Sequence, residues 1–435
     1  MFNKSFLLFL AGCFTMTQIK IIGYIGITEL VFFFVAPFVF IKNAKLLKRH
    51  GFTRVLVFSG LWMVNGLITD WYQQNSFENT IKGFAVTYCV FSSLIVLHDL
   101  LWADVWRVRW AVLGFTVSVV LSIFVFQGGA HVEKALATGE SMAGATLSYK
   151  LTLLSIVGSC LAVPIVFFYK KAPYISAGLA LFIGAFGLMQ GGRAAFLVSL
   201  MSVGLMVFVL NSQVRMARIQ RSFYGLGIIM ILAGALASAS YKYVVKRGMM
   251  GEEEQSKYEQ QSVAKIGLLS GRSAIIGSTL AITDSPLLGY GSWALDWDGY
   301  NQRAADIAGI EYRERAGGVS YMPGHSHVFG SWVQNGLFGG IFWIYILILI
   351  YKTVKFNMGV VPQLFGYLAL TVPALIWNIL FSPFAARIIT LTAITVFLLL
   401  DLKRYKEAFP QMSRPGRKRA AGRNPDMALA GRAVR

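Results

Sequence analysis

Long apolar runs separated by short polar segments make up most of this 435-residue chain. Runs of roughly 17 to 25 residues are long enough for a helix to cross a hydrocarbon core of about 30 Å. They are continuous rather than alternating, so they favour helices over strands. The pattern predicts an all-α, polytopic membrane helix bundle of about 12 transmembrane helices with one large loop. The predicted spans are residues 5–19, 25–41, 55–69, 81–97, 108–126, 151–168, 175–189, 194–210, 224–244, 328–350, 364–380 and 388–400.

Composition agrees with a membrane protein. Hydrophobic residues make up 56% of the chain and charged residues 14%, whereas soluble domains have about 25% charged residues. The net charge of +20 comes from Lys and Arg in short loops and in the tail, so it indicates the positive-inside pattern and no nucleic-acid partner. The three cysteines lie in apolar runs, which predicts no disulfide framework.

Charge also predicts an orientation. Basic residues such as Lys42 and Arg107 follow the even-numbered spans, whereas the odd-numbered exits are polar or mixed. This bias places both termini in the cytoplasm and the long loop outside. Residues 10–13 resemble a lipoprotein cleavage box, but apolar sequence continues past Cys13, so we expect an uncleaved first span.

Four regions follow from these predictions. Residues 1–245 hold spans 1 to 9, and residues 246–327 form the catalytic loop, with short helices. Residues 328–402 hold spans 10 to 12. Residues 403–435 form a basic, disordered cytoplasmic tail that rests on anionic lipid.

Two arginines are candidates for binding phosphate. Ser270 is a plausible N-cap for a short helix over 271–283, which places Arg272 in its first turn. Free N–H groups and a guanidinium there suit a diphosphate, and the alternative is that Arg272 pairs with a loop carboxylate. Arg193 follows two glycines where the seventh span ends, either as a snorkelling anchor or at the height of a lipid diphosphate.

His325 is the candidate general base, because a neutral imidazole takes a proton from a hydroxyl at ambient pH. Phe329, Trp332, Gly336 and Gly339 follow it at helical spacing, and the glycines allow another helix to approach closely. Ser326 and His327 come next to it and are candidate supporting residues. A zinc site at His325 and His327 is rejected, because a spacing of two puts them on different faces of a helix.

Asp296 and Asp298 stand two residues apart in the loop, as paired aspartates do in metal-dependent nucleotide-sugar transferases. A match of three residues in an acidic loop is weak, and a solvated loop is the preferred interpretation. We therefore predict no metal and no cofactor.

These residues together resemble a family. The run Ser270-Gly271-Arg272, then Pro286, Gly289 and Gly291, then His325 with Gly336 and Gly339, is similar to the O-antigen ligase and O-antigen polymerase superfamily of bacterial envelope polysaccharide assembly. The resemblance implies about twelve spans, a periplasmic catalytic loop and a place in the bacterial inner membrane. It differs from the common family pattern at Ser326, where Asn is usual, and at Gln334, where Glu is usual.

The resemblance implies a metal-independent glycosyltransferase with an undecaprenyl diphosphate-linked glycan as donor. His325 would activate the acceptor hydroxyl, Arg272 and Arg193 would hold the diphosphate, and Gln334 would support the site. The acceptor is a lipid-linked repeat unit in an O-antigen or exopolysaccharide polymerase, and lipid A-core of lipopolysaccharide in a ligase.

A flippase for lipid-linked oligosaccharide, or another transporter, is the alternative from a different class. Coupled transporters place carboxylates deep in the bundle. Glu29 is the one obvious carboxylate in the predicted spans, and the polar residues concentrate in the loop. The sequence therefore favours the enzyme.

Overall fold

The computed structural model shows a predominantly helical chain. The residues that it describes are 3–20, 24–49, 52–121, 142–190, 192–212, 232, 234–236, 238–248, 255, 258–259, 273–310, 320–324, 326–357, 364–382 and 388–401. They all belong to one compact unit, residues 1–402. The predicted tail at 403–435 lies outside the described residues.

The helices overlap the predicted apolar runs, but some extend well beyond them. The helices are α1 (Lys4–Cys13), α2 (Ile27–Arg49), α3 (Phe52–Tyr72), α4 (Phe77–Leu101), a 3-10 turn (Val105–Arg107), α5 (Val108–Leu121), α6 (Met142–Phe168), α7 (Pro173–Met189), α8 (Arg193–Ser212), α9 (Ser273–Asp284), α10 (Tyr300–Ala308), α11 (His327–Asn357), α12 (Phe365–Phe381) and α13 (Ile388–Asp401). Helix α2 extends beyond its predicted run at its end, and α6 does so at its start. Residues 234–236 and 238–246 are helical too, and all but the last two lie inside the predicted ninth span, 224–244.

The first predicted span is wrong in its second half. Helix α1 ends at Cys13, and residues Gln18–Lys20 form strand β1, which pairs antiparallel with strand β2 at Tyr24–Gly26. Thr15 donates its hydroxyl hydrogen to the Ala11 carbonyl, as is common where a helix ends. The β-branched and polar residues after it favour extended backbone over helix.

Three of the described helices are long and apolar enough to cross a membrane: α3, α4 and the part of α11 from His327 to Val354. Helices α1, α7 and α12, and parts of α6, α8 and α13, are apolar but shorter. Helix α3 packs against both α4 and α11, and α9 packs against α10 and α11. These contacts place the two loop helices beside the membrane-length helices.

Asp99 of α4 forms an ion pair with α1 and a hydrogen bond with α2. Lys4 Nζ lies 2.8 Å from Asp99 Oδ2, and Asn43 Nδ2 donates to Asp99 Oδ1 at 2.8 Å. The start of α1, the last third of α2 and the end of α4 therefore meet at one end of the bundle. This is the relative arrangement that the even-numbered basic exits predict.

Candidate functional site

The two residues with the sharpest predicted roles, Arg272 and His325, lie outside the described residues, as do Ser270 and Gly271. The structure describes residues 273–310 and the chain on both sides of position 325, 320–324 and 326–357. The predicted helix over 271–283 is found as α9, Ser273–Asp284. The roles of Arg272 and His325 stay predictions.

Ser326 begins helix α11. Its Oγ accepts a hydrogen bond from Phe329 N at 3.3 Å, which is the geometry of a helix N-cap, and donates to the Ile379 carbonyl at 2.8 Å. The side chain is fully buried. Serine at this position therefore fixes where α11 starts and ties that start to α12.

His327 is held on two sides. Its Nδ1 lies 2.9 Å from the Ser382 carbonyl oxygen, and its ring meets the Trp343 ring edge-on with centroids 4.7 Å apart. Only 3% of the residue is exposed. A buried, hydrogen-bonded imidazole in this place orients the residues around it.

Helix α11 is broken in its first third, where the sequence predicts an uninterrupted span. Asn335 and Gly336 have non-helical backbone angles, and Gly336 has φ +68° with ψ −161°. That conformation strongly favours glycine. The predicted single face from position 325 to Gly339 is therefore interrupted at Gly336.

The docking loop, residues 285–292, fills this break. Tyr290 N donates to the Val333 carbonyl at 2.8 Å, and Gly291 N donates to that of Gln334 at 3.0 Å. On the far side of the break, Leu337 N donates to the Leu287 carbonyl at 3.0 Å. Backbone groups freed inside a spanning helix need such partners, because lipid offers none. The docking loop thus supplies hydrogen-bond partners to the backbone groups that the break in α11 leaves free.

A polar stripe, formed by Asn65 and Thr69 of α3 and by Gln73 in the turn that follows it, supports the docking loop from the side. Thr69 Oγ1 donates to the Leu288 carbonyl, and Gln73 Nε2 donates to that of Gly289 at 2.9 Å. Asn65 Nδ2 donates to the Asn335 carbonyl. The spacing of four residues puts these side chains on one face of α3 and its following turn. This spacing is a signal that the sequence contains and that our prediction did not use.

Asp70, at the end of the same face, is the main residue that sequence reasoning missed. Its carboxylate accepts hydrogen bonds from Ser292 N at 2.6 Å, Ser292 Oγ at 2.9 Å and Asn75 Nδ2 at 2.9 Å. Asp70 is 2% exposed and lies in α3, one residue beyond the predicted span 55–69. Both oxygens are engaged, which makes Asp70 an anchor for the docking loop.

A small core joins α9, α10 and α11, and its buried residues are Ala281, Tyr300, Met322 and Val333. Ser278 Oγ donates to the Pro323 carbonyl at 2.9 Å. This bond joins α9 to the segment that precedes position 325.

A chain of hydroxyl groups lies at the edge of this core. The hydroxyls of Tyr290 and Tyr300 are 2.6 Å apart, and the Tyr300 hydroxyl donates to Asp284 Oδ2 at 2.7 Å. Burial, reinforced by these hydrogen bonds, raises the pKa of Tyr300 well above its ordinary value. The Tyr300 hydroxyl is therefore a donor at any physiological pH.

Asp296 has a structural role in α10. Its two carboxylate oxygens accept from Tyr300 N and Asn301 N, each at 2.8 Å. Asn301 Nδ2 also donates to Asp296 Oδ2 at 2.7 Å. A carboxylate that satisfies the free N–H groups of a helix start needs no metal to account for it.

Arg193 is the first residue of α8, and its guanidinium carbon lies 4.0 Å from the centroid of the Tyr241 ring. Tyr241 is buried in a cluster with Leu188, Phe196 and Val245. The aromatic ring restrains the arginine at a helix N-terminus, where the helix dipole adds positive potential. The role of Arg193 in binding a diphosphate stays a prediction.

Gln334 lies just before the break in α11, where its carbonyl receives the bond from Gly291 and its side chain is partly exposed. Gly339 confirms that the small residues of α11 let another helix approach, since a Cβ there would lie 3.1 Å from Trp62 Nε1 of α3. Gln334 thus contacts the docking loop, whereas Ser326 and His327 contact α12 and the residue that follows it. In comparisons with known proteins, no family model, no curated protein and no solved structure matches this chain.

Proposed function

We propose that this chain is a glycosyltransferase of the bacterial inner membrane. In this proposal it has about twelve spans, both termini in the cytoplasm and the catalytic loop in the periplasm. It transfers glycan from an undecaprenyl diphosphate-linked donor to a sugar hydroxyl, in the manner of O-antigen polymerases and ligases. Polymerisation of O-antigen or exopolysaccharide repeat units is the primary form of the proposal.

The observation that carries the proposal is the docking of a polar segment onto a broken membrane-length helix. The docking loop is fixed to α3 and α11 by backbone and side-chain hydrogen bonds, and α9 packs against α10 and α11. This arrangement holds a chemically rich segment beside the membrane region rather than in a solvated loop. It supports chemistry on a substrate whose reactive group sits at a lipid headgroup.

The position of residue 325 supports its proposed role. It stands between Gly324 and the buried cap Ser326, in a segment tied to α9 through Pro323 and to α12 through Ile379. A base must be held within hydrogen-bond reach of the acceptor hydroxyl, so rigid neighbours on both sides are an advantage.

The reaction that we propose needs no metal. His325 takes the proton of the acceptor hydroxyl while that oxygen forms a bond to the anomeric carbon of the donor sugar. The bond from that carbon to the diphosphate oxygen breaks, and undecaprenyl diphosphate leaves with the bonding electron pair. Arg272 and Arg193 stabilise the charge that develops on the diphosphate.

A transporter is the second candidate, because broken helices also mark substrate sites in secondary transporters. Asp70 adds a buried carboxylate that a coupled transporter would use. Its oxygens, however, bind the backbone and side chain of Ser292 and the side chain of Asn75. A carboxylate that anchors a loop in this way is a poor site for a coupling ion.

The test uses the purified full-length protein in liposomes with a lipid-linked glycan that carries a radiolabelled sugar. We expect a new glycosidic bond, seen as a longer lipid-linked product or, with lipid A-core present, as labelled lipopolysaccharide. The first product identifies a polymerase and the second a ligase. Transfer of unchanged donor across the bilayer, with no new bond, would instead identify a flippase.

The proposed orientation has its own test. A tag inserted near residue 317 should be reached from the periplasm, and a tag after residue 435 only from the cytoplasm. Finding both tags on one side would contradict the proposed function, because the catalytic loop would face the wrong compartment.

A further inference from the structure

A cavity of about 280 Å³ lies within the helix bundle, away from the docking loop. Residues of α1, α5, α6, α12 and α13 line it, and its wall is mainly apolar. An apolar cavity of about 150 Å³ in a soluble protein is enough to bind benzene. By that measure this cavity has room for a chain of roughly eleven carbon atoms.

Two hydroxyl groups of the wall have no hydrogen-bond partner among the residues that the structure describes, those of Tyr367 and Thr392. Both residues are 2% exposed. The usual solution for threonine in a helix is a bond to the carbonyl four residues earlier, and Thr371 and Thr395 both make it. A buried hydroxyl without a partner is costly, so these two groups point to an acceptor that the described residues do not supply.

The apolar walls and the two hydroxyl donors limit the class of molecule that can supply this acceptor. The walls admit an apolar chain, and the two hydroxyls can donate to an oxygen on it. A carbonyl oxygen accepts without adding a further donor that would itself need a partner, whereas an alcohol adds one. We propose that this cavity binds a lipid acyl chain, with its ester carbonyl accepting a hydrogen bond from the Tyr367 hydroxyl.

The stabilisation comes from packing and from this hydrogen bond. A chain that leaves the bilayer for the cavity gains no hydrophobic free energy, because it moves between two apolar surroundings. It gains dispersion contacts with walls that otherwise lack neighbours, and it gives Tyr367 the acceptor that it lacks. The site is independent of the proposed transfer reaction, since none of its lining residues lies between positions 246 and 327.

The experiment is photolabelling of the purified full-length protein with three diazirine probes of equal length: a fatty acid methyl ester, a prenyl alcohol and an alkane. Labelled peptides are identified by mass spectrometry. We expect the ester to label the cavity walls on α6 and α12 more strongly than the other two probes. Equal or stronger labelling of those walls by the alcohol or the alkane would overturn the assignment to an acyl chain.

Variants sharpen the result. Ala162→Phe places a ring in the cavity wall and should abolish labelling by the ester, whereas Gly178→Leu adds an apolar side chain at an exposed position of α7 and should leave it unchanged. Tyr367→Phe removes the donor and should lower ester labelling about fivefold, with alkane labelling unchanged. Unaltered ester labelling in Tyr367→Phe would contradict the proposed hydrogen bond. The wild-type labelling map decides the location even where a variant does not fold.

Discussion

The docking loop interface and the cavity wall are both buried, but they differ in whether their polar groups have hydrogen-bond partners. At the interface, Asp70 and the polar stripe of α3 bind loop backbone, and the broken helix α11 binds it too. At the cavity wall, the hydroxyls of Tyr367 and Thr392 lack partners among the described residues. At the interface, the polar groups bind one another within the chain and hold the docking loop in place. At the cavity wall, we propose that a bound lipid supplies the missing hydrogen-bond acceptor.

This difference predicts where substitutions have their effects. A change at the interface should loosen the catalytic loop and reduce transfer. A change at the cavity should alter lipid occupancy and leave the chemistry largely intact. The following predictions test that division, from the largest expected effect to the smallest.

The largest effect should come from His325→Ala. Loss of a general base lowers the rate of transfer by about 10² to 10⁴. Product formation at saturating donor measures it, with the amount of protein in the membrane checked in parallel. Donor binding should persist, because the proposed mechanism assigns the diphosphate to Arg272 and Arg193.

His327→Ala is the matched control for His325→Ala. The structure adds that His327 is buried between Ser382 and Trp343, so this variant should lose stability while keeping more transfer activity per folded molecule. Equal loss of turnover in the two variants would contradict a specific catalytic role for His325.

Arg272→Lys tests the geometry of diphosphate binding. Lysine keeps the charge but replaces a planar fork of donors with a point charge. We expect turnover to fall by about 10² and the Michaelis constant for the donor to rise, because bidentate contacts are lost. Near-normal kinetics would mean that Arg272 pairs with a loop carboxylate.

Gly336→Ala should disrupt the interface between the docking loop and α11. A Cβ there would meet the Leu287 carbonyl and lie 2.6 Å from Asn65 Nδ2, and φ +68° is strained for alanine. We expect a loss of about 2 to 4 kcal/mol in the free energy of unfolding. Thermal unfolding in detergent measures it.

Gly60→Ala is the control for Gly336→Ala. Gly60 lies on α3, and a Cβ there meets no atom within 4 Å. Alanine should therefore raise stability by about 0.5 to 1 kcal/mol. If the two alanine variants behave alike, the break in α11 is not a strained, glycine-dependent feature.

Asp70→Asn should weaken the anchoring of the docking loop. The amide keeps the shape of the carboxylate but sets an N–H donor against Ser292 or Asn75, both of which donate to Asp70. We expect a loss of about 2 to 3 kcal/mol and faster proteolysis between residues 285 and 299. Asp104→Asn, at the half-exposed start of the 3-10 turn, should cost less than about 1 kcal/mol.

Apart from the control variants, Tyr300→Phe should have the smallest effect, about 1 to 2 kcal/mol, because it removes the bonds to Asp284 and Tyr290. The raised pKa of Tyr300 also sets the sign of a pH effect. A tyrosine that holds its proton more tightly when folded contributes stability below its ordinary pKa of about 10 and loses it as pH rises further. The difference in stability between wild type and Tyr300→Phe should therefore shrink above about pH 10. A difference that grows with pH would contradict the hydrogen-bond arrangement.

The sequence by itself determined where the helices lie. A run such as 175–189 predicts α7 to within two residues at its start, because apolar length and flanking polar residues decide where a chain is helical. The hairpin after α1 was missed because Thr, Gln and Ile are compatible with both states, and pairing with β2 decided between them.

Only the tertiary structure decided how the polar groups are matched. Gly336 in the sequence is a small residue in an apolar run, and nothing local requires a break there. The break is stable because the docking loop, distant in sequence, supplies the lost hydrogen bonds. Asp70 similarly looks like a residue at the end of a span until Ser292 is placed beside it. Apolar periodicity is a local property and can be read along the chain, whereas the partner of a buried polar group is set by long-range contact and cannot.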